Sequence, residues 1–368
     1  MIGSEATRVI EVANAQPLHD DAGGGPDGPR LAVVISCYNY ERYIGRSIDS
    51  VREQNRDDCE LVVIDDGSTD GSWDIIRRRG VRAFRIENGG QRAACLFGVD
   101  QTRAPFVLFL DADDELKSGS LAEIISHLGA DVAKLQFALS LIDDNGNPRG
   151  GAFSVLEQFR DRQGLVREVL RRGVYKTPPT SGNVFRRDLC ELLREAEYDV
   201  AVDGVILFAA PLFGDVVSLS EELGYYRIHG RNDSGLGRGP SALALDRDIR
   251  RFLARMEHLR SIVRRLAPDL ELVQPRETFY YRERTFCLDI ITGRRPGLAA
   301  LPSLLAHLAL EPYPIMSKLA LAVFFALGSS LSNTRAKSLL AYRLASEPRS
   351  ALGLARAILS PANCPAVE

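Results

Sequence analysis

The sequence lacks an excess of charge of either sign. Lys and Arg number 46 against 49 Asp and Glu over 368 residues, a formal net charge of -3. A chain so balanced has no broad basic field to hold a polyanion, which argues against a dedicated nucleic-acid binder. Cysteines at 37, 59, 95, 190, 287 and 364 include no C-x-x-C pair. That spacing excludes a zinc ribbon and a dense disulfide framework, and predicts reduced thiols in a cytoplasmic compartment. Lysine is scarce, found only at 117, 134, 176, 318 and 337, so arginine supplies most of the positive charge. No uninterrupted run approaches the ~20 apolar residues a membrane-spanning helix needs. The most hydrophobic piece, Ile315 to Leu327, is short and interrupted. The opening residues carry no signal-peptide pattern. Residues 1–30 hold two short apolar patches and a Gly/Pro/Asp run from His19 to Pro29, and read as a flexible leader. What is left, 45% apolar and 26% charged, is an ordinary soluble composition, long enough for two domains.

What is present centres on Pro105 to Glu115. Phe106-Val107-Leu108-Phe109-Leu110 is a continuous apolar run, the pattern of a strand buried on both faces. It ends in Asp111, Asp113, Asp114 and Glu115. Carboxylates this close repel one another and need a cation or an unusual set of donors. The end of such a strand is where α/β sheets bind ligands. Asp111 and Asp113 are therefore candidates to hold a divalent metal, and through it a phosphate.

The flanking chain alternates strands and helices. Leu31 to Ser36 and Leu61 to Ile64 are buried strands, Val81 to Ile86 is a weaker one, and helices follow each. Asp70 or Ser72 is positioned to cap the helix near Trp73. Such alternation predicts right-handed crossovers and a largely parallel sheet. Beyond Lys117 the pattern loosens. Asp131 to Ile142 reads as one or two strands, 153–175 as a helix exposed on one face, and Pro178 to Arg187 as a small-residue loop. That loop is either an ordinary connection or a source of backbone donors to a ligand. A strand from Val216 to Leu219 precedes a polar loop containing His229, and a charged amphipathic helix covers 241–266. A further helix is expected at 275–292, then apolar helices broken at Pro302, Pro312 and Pro314.

Five pieces occur in order: Val33-Val34-Ile35-Ser36-Cys37-Tyr38-Asn39; Ser50-Val51-Arg52-Glu53-Gln54; Val63-Ile64-Asp65-Asp66-Gly67-Ser68-Thr69-Asp70; Asn88-Gly89-Gly90-Gln91; and Phe109-Leu110-Asp111-Ala112-Asp113-Asp114. Together, over residues 31–116, they resemble the family 2 glycosyltransferases, which have the nucleotide-sugar-binding GT-A fold. The resemblance implies an α/β, Rossmann-like, mostly parallel sheet flanked by helices, with an added C-terminal helical region. Its expected domains are 31–240 for catalysis, with a nucleotide-binding half at 31–116 and an acceptor half at 117–240, and 241–368 for the helices. It implies donor binding by Ser36, Tyr38, Asp65, Asp66, Gly90, Asp111 and Asp113. Tyr38 would lie along the base, and Asp65 or Asp66 would accept from a base N–H unless Asp66-Gly67-Ser68 is only a capped turn.

The same resemblance implies that Asp111, Asp113 and His229 bind Mn2+ or Mg2+. It implies a nucleotide-sugar donor, a UDP-sugar favoured, and a sugar or glycolipid acceptor. Asp203 would be the base that takes the acceptor proton. Relatives commonly carry Glu-Asp there, whereas Val202 precedes Asp203, so Asp199 is the rival base and a helix N-cap the structural alternative. Cys95-Leu96 replaces a frequent Arg-Asn pair. The Gln-x-x-Arg-Trp motif of processive synthases is absent, since the one tryptophan is Trp73. Single-sugar transfer by inversion is the expected activity, and a non-catalytic nucleotide-sugar-binding or scaffold protein is the alternative. Arg231 is a candidate for diphosphate oxygens. After residue 300 basic residues outnumber acidic ones, and apolar helices with basic flanks can lie on an anionic membrane face. A helical subdomain packed on the catalytic domain is the competing expectation.

Overall fold

The computed structural model describes residues 7–14, 28–196, 198–199, 201–230, 232 and 241–344. They fall into two compact units. One comprises Met1–Glu168, Val174–Arg227 and Ser261–Ala267; the other comprises Val169–Gly173, Ile228–Arg260 and Pro268–Glu368.

The first unit is built on one mixed sheet. Its strands are β1 (Val9–Ala13), β2 (Leu31–Cys37), β3 (Cys59–Asp65), β4 (Ala83–Ile86), β5 (Phe106–Asp111), β6 (Glu115–Leu116), β7 (Val132–Ile142), β8 (Pro148–Ala152), β9 (Phe159–Asp161), β10 (Asn183–Arg186) and β11 (Asp215–Arg227). Their order is β1-β4-β3-β2-β5-β10-β7-β11-β6, with β8 on β7 and β9 on β11. The block β4-β3-β2-β5 is parallel, as the alternation of strands and helices predicts. Helices α1 (Ile44–Arg52), α2 (Ser72–Arg78) and α3 (Gln91–Asp100) connect it. Every residue from Leu31 to Ile35 is sealed from solvent, so the β2 run is apolar throughout rather than alternating. Close packing of α3 on the sheet depends on Gly98, where a Cβ would lie 2.3 Å from Val34 Cγ1. Further helices are α4 (Ser120–Ser126), the first part of α5 (Gln163–Arg172), α6 (Arg187–Arg194) and α7 (Val205–Phe213).

Several expectations need correction. Part of the flexible leader is ordered: Val9–Ala13 pairs antiparallel with the edge strand β4, and Glu11 accepts from Trp73 Nε1 at 2.6 Å. The small-residue loop ends in a strand, because β10 inserts antiparallel between β5 and β7. The strand expected at 216–219 continues to Arg227 through register shifts near Leu219 and Glu222, so Tyr226 and Arg227 are strand residues. The helix expected over 153–175 is only α5, preceded by β9.

The second unit is helical. It contains most of α8 (Ala242–Leu266), α9 (Phe279–Ile291), α10 (Leu301–Ala309), α11 (Ile315–Ser330) and α12 (Asn333–Leu344). Pro302 stands in the first turn of α10 and Pro314 caps α11, so both start helices instead of breaking them. An aromatic cluster holds the unit together, with Phe286 and Phe325 ring centroids 5.1 Å apart and edge-to-face. On α11, Ile315, Met316, Leu319 and Val323 face outward and remain exposed. Among the described residues no helix is long and apolar enough to cross a membrane.

Candidate functional site

Three strand ends of the parallel block converge on one edge of the sheet. At the end of β2, Tyr38 is 47% exposed, a large aromatic face presented to solvent. Asn39 follows at φ +60°, a left-handed conformation that Asn tolerates better than most residues. Its Oδ1 accepts from the Thr69 and Asp70 backbone N–H groups at 2.7 and 3.3 Å, which ties this loop to the one after β3. Asp70, one residue before the N-cap of α2, which is Gly71, in turn accepts from Ser72 N–H at 2.9 Å through its Oδ1. Ser36 lies opposite Asp111 in the β2–β5 register, and its hydroxyl engages the buried Cys95 thiol of α3. Both Cys95 and Leu96 are buried, so the substituted pair serves packing.

The two acids after β3 divide their tasks. Asp66 Oδ1 and Oδ2 accept from the Gly89 and Gly90 backbone N–H groups at 2.8 and 2.9 Å. This fixes Gly90 at φ +84°, where the chain turns into α3 and where a side chain would be strained. Asp65 Oδ2 accepts from Ser68 N–H at 3.2 Å and faces Arg85, while its buried Oδ1 has no hydrogen-bond partner among the described residues. Burial raises both carboxyls above their ordinary range, against the lowering effect of these donors.

At the end of β5, ligand oxygens of Asp111, Asp113 and Asp114 lie within 4.8 Å of one another. Asp111 Oδ1 accepts from Gln91 Nε2 at 2.6 Å. Asp114, one of the four crowded acids but not among the expected ligands, is almost fully buried. Its Oδ2 accepts from Ser181 Oγ at 2.6 Å and its Oδ1 from Arg227 N–H at 3.0 Å. Burial, followed by repulsion from Asp113 and Asp111, drives its pKa well up. An all-oxygen set under mutual repulsion fits a hard divalent cation.

Arg227 is the other residue sequence reasoning missed. It is wholly buried, and its guanidinium donates to the carbonyls of Asp113 at 2.9 Å and Asp143 at 3.0 Å. It also pairs with Glu115 and sits over the Tyr43 ring, 5.1 Å from its centroid. One side chain thus clamps the acidic turn to the turn after β7. Read as part of a loop, Arg227 gave no sign of burial; its place at the end of a long strand supplies it.

Residues Thr180–Gly182 form a single 3-10 turn before β10. Thr180 Oγ1 donates to Asp203 Oδ2 at 3.1 Å. The next residue, Ser181, bonds Asp114 and accepts from Asp111 N–H at 3.1 Å. Adjacent hydroxyls therefore join Asp203 to the acidic turn. The N-cap of α7 is Gly204, so Asp203 is not at the capping position. Asp199 Oδ1 accepts from Ala201 N–H at 3.1 Å, a local turn contact, and Val202 is sealed in the core. His229 belongs to the second unit, half-buried, with its backbone N–H on Asn232 Oδ1 at 2.6 Å. Arg231 lies outside the described residues.

Residues 32–193 match the family described as Glycosyl transferase family 2. An uncharacterized glycosyltransferase of Nostoc sp. is 34% identical over 215 residues, covering 55% of this chain and 66% of the relative. The GalNAc(5)-diNAcBac-PP-undecaprenol beta-1,3-glucosyltransferase of Campylobacter jejuni is 30% identical over 32% of this chain and 40% of its own length. The chain therefore aligns with less than two thirds of either relative. A crystal structure of S. aureus TarS residues 1–349 superposes with a TM-score of 0.50 at 19% identity, covering 87% of this chain and 93% of that one. The fold is of the GT-A type, and residues 32–193 form a glycosyltransferase family 2 domain.

Proposed function

We propose that the protein transfers a single sugar, with inversion, from a nucleotide-diphosphate sugar to a hydroxyl acceptor, using Mn2+ or Mg2+. The observation that carries this reading is the Thr180–Ser181 turn, which links a carboxylate, Asp203, to the acidic turn at the end of β5. A base and a metal site are what such a transfer needs side by side. Asp111 and Asp113 would hold the ion, which would supply positive charge to the departing diphosphate. Tyr38 stacks on the base, and a uracil N–H meets Asp65, whose Oδ1 has no hydrogen-bond partner among the described residues, while Asp66 holds the Gly90 turn beside the donor. Ser36 completes the donor side.

Asp203 removes the acceptor proton, a role worth ~10²–10⁴-fold in rate. The catalytic region is 31–240 and the helical region 241–368. The name of the Campylobacter relative supports a lipid-linked sugar as acceptor and a place in cell-surface glycan synthesis. The exposed apolar side chains of α11 support peripheral contact with the cytoplasmic face of the membrane.

Binding and release of UDP from a panel of UDP-sugars, with Mn2+ and with EDTA, test the reading. Asp113→Asn abolishes metal-dependent UDP binding while the protein stays folded. Asp203→Asn lowers transfer at least ~10²-fold with donor affinity unchanged. If Asp199→Asn is the inactive variant instead, the base is misassigned; if both match the parent, neither carboxylate is the base.

A further inference from the structure

Lys134 lies within β7 and is fully sealed from solvent. Its Nζ reaches three neutral oxygens: Thr177 Oγ1 at 2.8 Å, Gln136 Oε1 at 2.9 Å and Tyr175 Oη at 3.2 Å. Each already donates its own protons elsewhere. The Tyr175 hydroxyl donates to the Leu207 carbonyl at 2.6 Å, and Thr177 Oγ1 donates to Asn183 Oδ1 at 3.0 Å. The Gln136 amide donates to the Lys176 carbonyl and to Ser218 Oγ, both at 3.2 Å. A neutral amine has two N–H donors, so its lone pair would confront one of these oxygens. An ammonium has three donors and satisfies all of them.

The acceptor network leads onward to the candidate base. Asn183 Nδ2 donates to the carbonyls of Pro178 and Pro179 at 3.1 and 2.7 Å, which fixes the segment before the 3-10 turn. Thr180, the first residue of that turn, donates to Asp203. Few other groups near Lys134 titrate. Opposite it in the sheet stand Phe185 of β10 and Val216 of β11, both apolar. Tyr175 is held above its ordinary range by burial and, secondarily, by Glu168 of α5. Burial drives the Lys134 ammonium toward losing its proton, and the charge that opposes this is Asp203.

We propose that Lys134 is a positioning residue: a buried ammonium that holds the Thr177–Asn183–Thr180 relay in place and keeps Asp203 ionised on the acceptor side. This rests on the reading of Asp203 as the base. Its consequence is reciprocal, because two coupled charges shift each other equally.

The test is NMR titration of protein labelled at lysine 15Nζ and aspartate 13Cγ. The chain has only five lysines, so Lys134 is identified by replacing each of the others with arginine in turn. The expected Lys134 signal at pH 7 is that of an ammonium. Lys134→Met raises the Asp203 midpoint by about one pH unit, since removing a nearby cation disfavours the carboxylate. Asp203→Asn, which preserves size, lowers the pH at which Lys134 deprotonates, and this arm stands even where Lys134→Met does not fold. A neutral amine at pH 7, or a Lys134 midpoint unmoved by Asp203→Asn, overturns the proposal. Should Asp203→Asn retain transfer while the two groups remain coupled, the base assignment fails by itself. Loss of transfer without coupling sinks the role of Lys134 alone.

Discussion

Replacing Arg227 by methionine separates a clamp from a bystander. The change keeps the length of the stem but removes the donors to Asp113 and Asp143 and the cation facing Glu115. Breaking a buried ion pair by deleting one partner costs about 3–5 kcal/mol. The Glu115 side chain is 23% exposed, so water recovers part of that for the orphaned carboxylate. The Asp113 carbonyl loses its Arg227 donor at about 1–3 kcal/mol, whereas the Asp143 carbonyl keeps the Gly146 N–H at 3.0 Å, and these terms overlap because they share one cavity. A net loss of about 4 kcal/mol follows, a large part of the ~5–15 kcal/mol typical of a whole domain.

In urea, with a slope of ~1–3 kcal/mol per molar, the unfolding midpoint should fall by about 1–4 M. Trp73 is the only tryptophan in the chain and is buried in the first unit, so its fluorescence reports the unfolding of that unit directly. Below the transition, Arg227→Met should also bind Mn2+ more weakly, because the Asp113 carbonyl is no longer anchored. Arg227→Lys should fall between parent and Arg227→Met, since one ammonium cannot span acceptors that a planar fork reaches together. A midpoint and an Mn2+ affinity both equal to those of the parent would refute the clamp.

Asp65 governs a pH dependence. Burial raises its folded pKa above the unfolded value, so its contribution to stability is full below the unfolded pKa and is lost as pH rises through the folded one. The urea midpoint of the parent should therefore decline as pH rises from about 4, and Asp65→Asn should flatten that decline; an unchanged slope removes Asp65 as its source. Replacing Ile315, Met316 and Leu319 together by serine should release the protein from anionic liposomes in co-sedimentation. Loss of soluble protein in that variant would instead assign the exposed face of α11 to internal packing.

How much was legible in the sequence follows from where each residue's partners lie. β2, β3 and β5 are apolar runs that neighbouring strands bury on both sides, so local pattern sufficed to find them. Asp111 and Asp113 showed through because their crowding is itself local. β10 did not: it is four residues long, begins with Asn183, and follows a Pro-Pro-Thr-Ser-Gly segment that reads as a loop. Its place between β5 and β7 depends on pairing with Leu108 and Leu135, far away along the chain. β1 was hidden because its side chains are mostly exposed, and only the free edge of β4 gives it a partner. Lys134 and Arg227 gave no local sign of burial, since most of the acceptors that permit it, Tyr175 and Thr177 for Lys134 and Asp143 for Arg227, are about 40 or more residues away in sequence.

The reversed direction of β10 also has a consequence for synthesis. Because this strand runs against β5, the turn that precedes it, carrying Thr180 and Ser181, arrives at the same sheet edge as the residues that follow β5. On a ribosome the acidic turn emerges long before either partner that tames it. Arg227 follows Asp114 by 113 residues and Ser181 follows it by 67. At ~5–20 residues per second, that interval is several seconds in which the repelling carboxylates have neither the hydroxyl nor the guanidinium. The nascent parallel block can form while it lasts, but the acidic turn stays unbraced until residue 227 has left the exit tunnel.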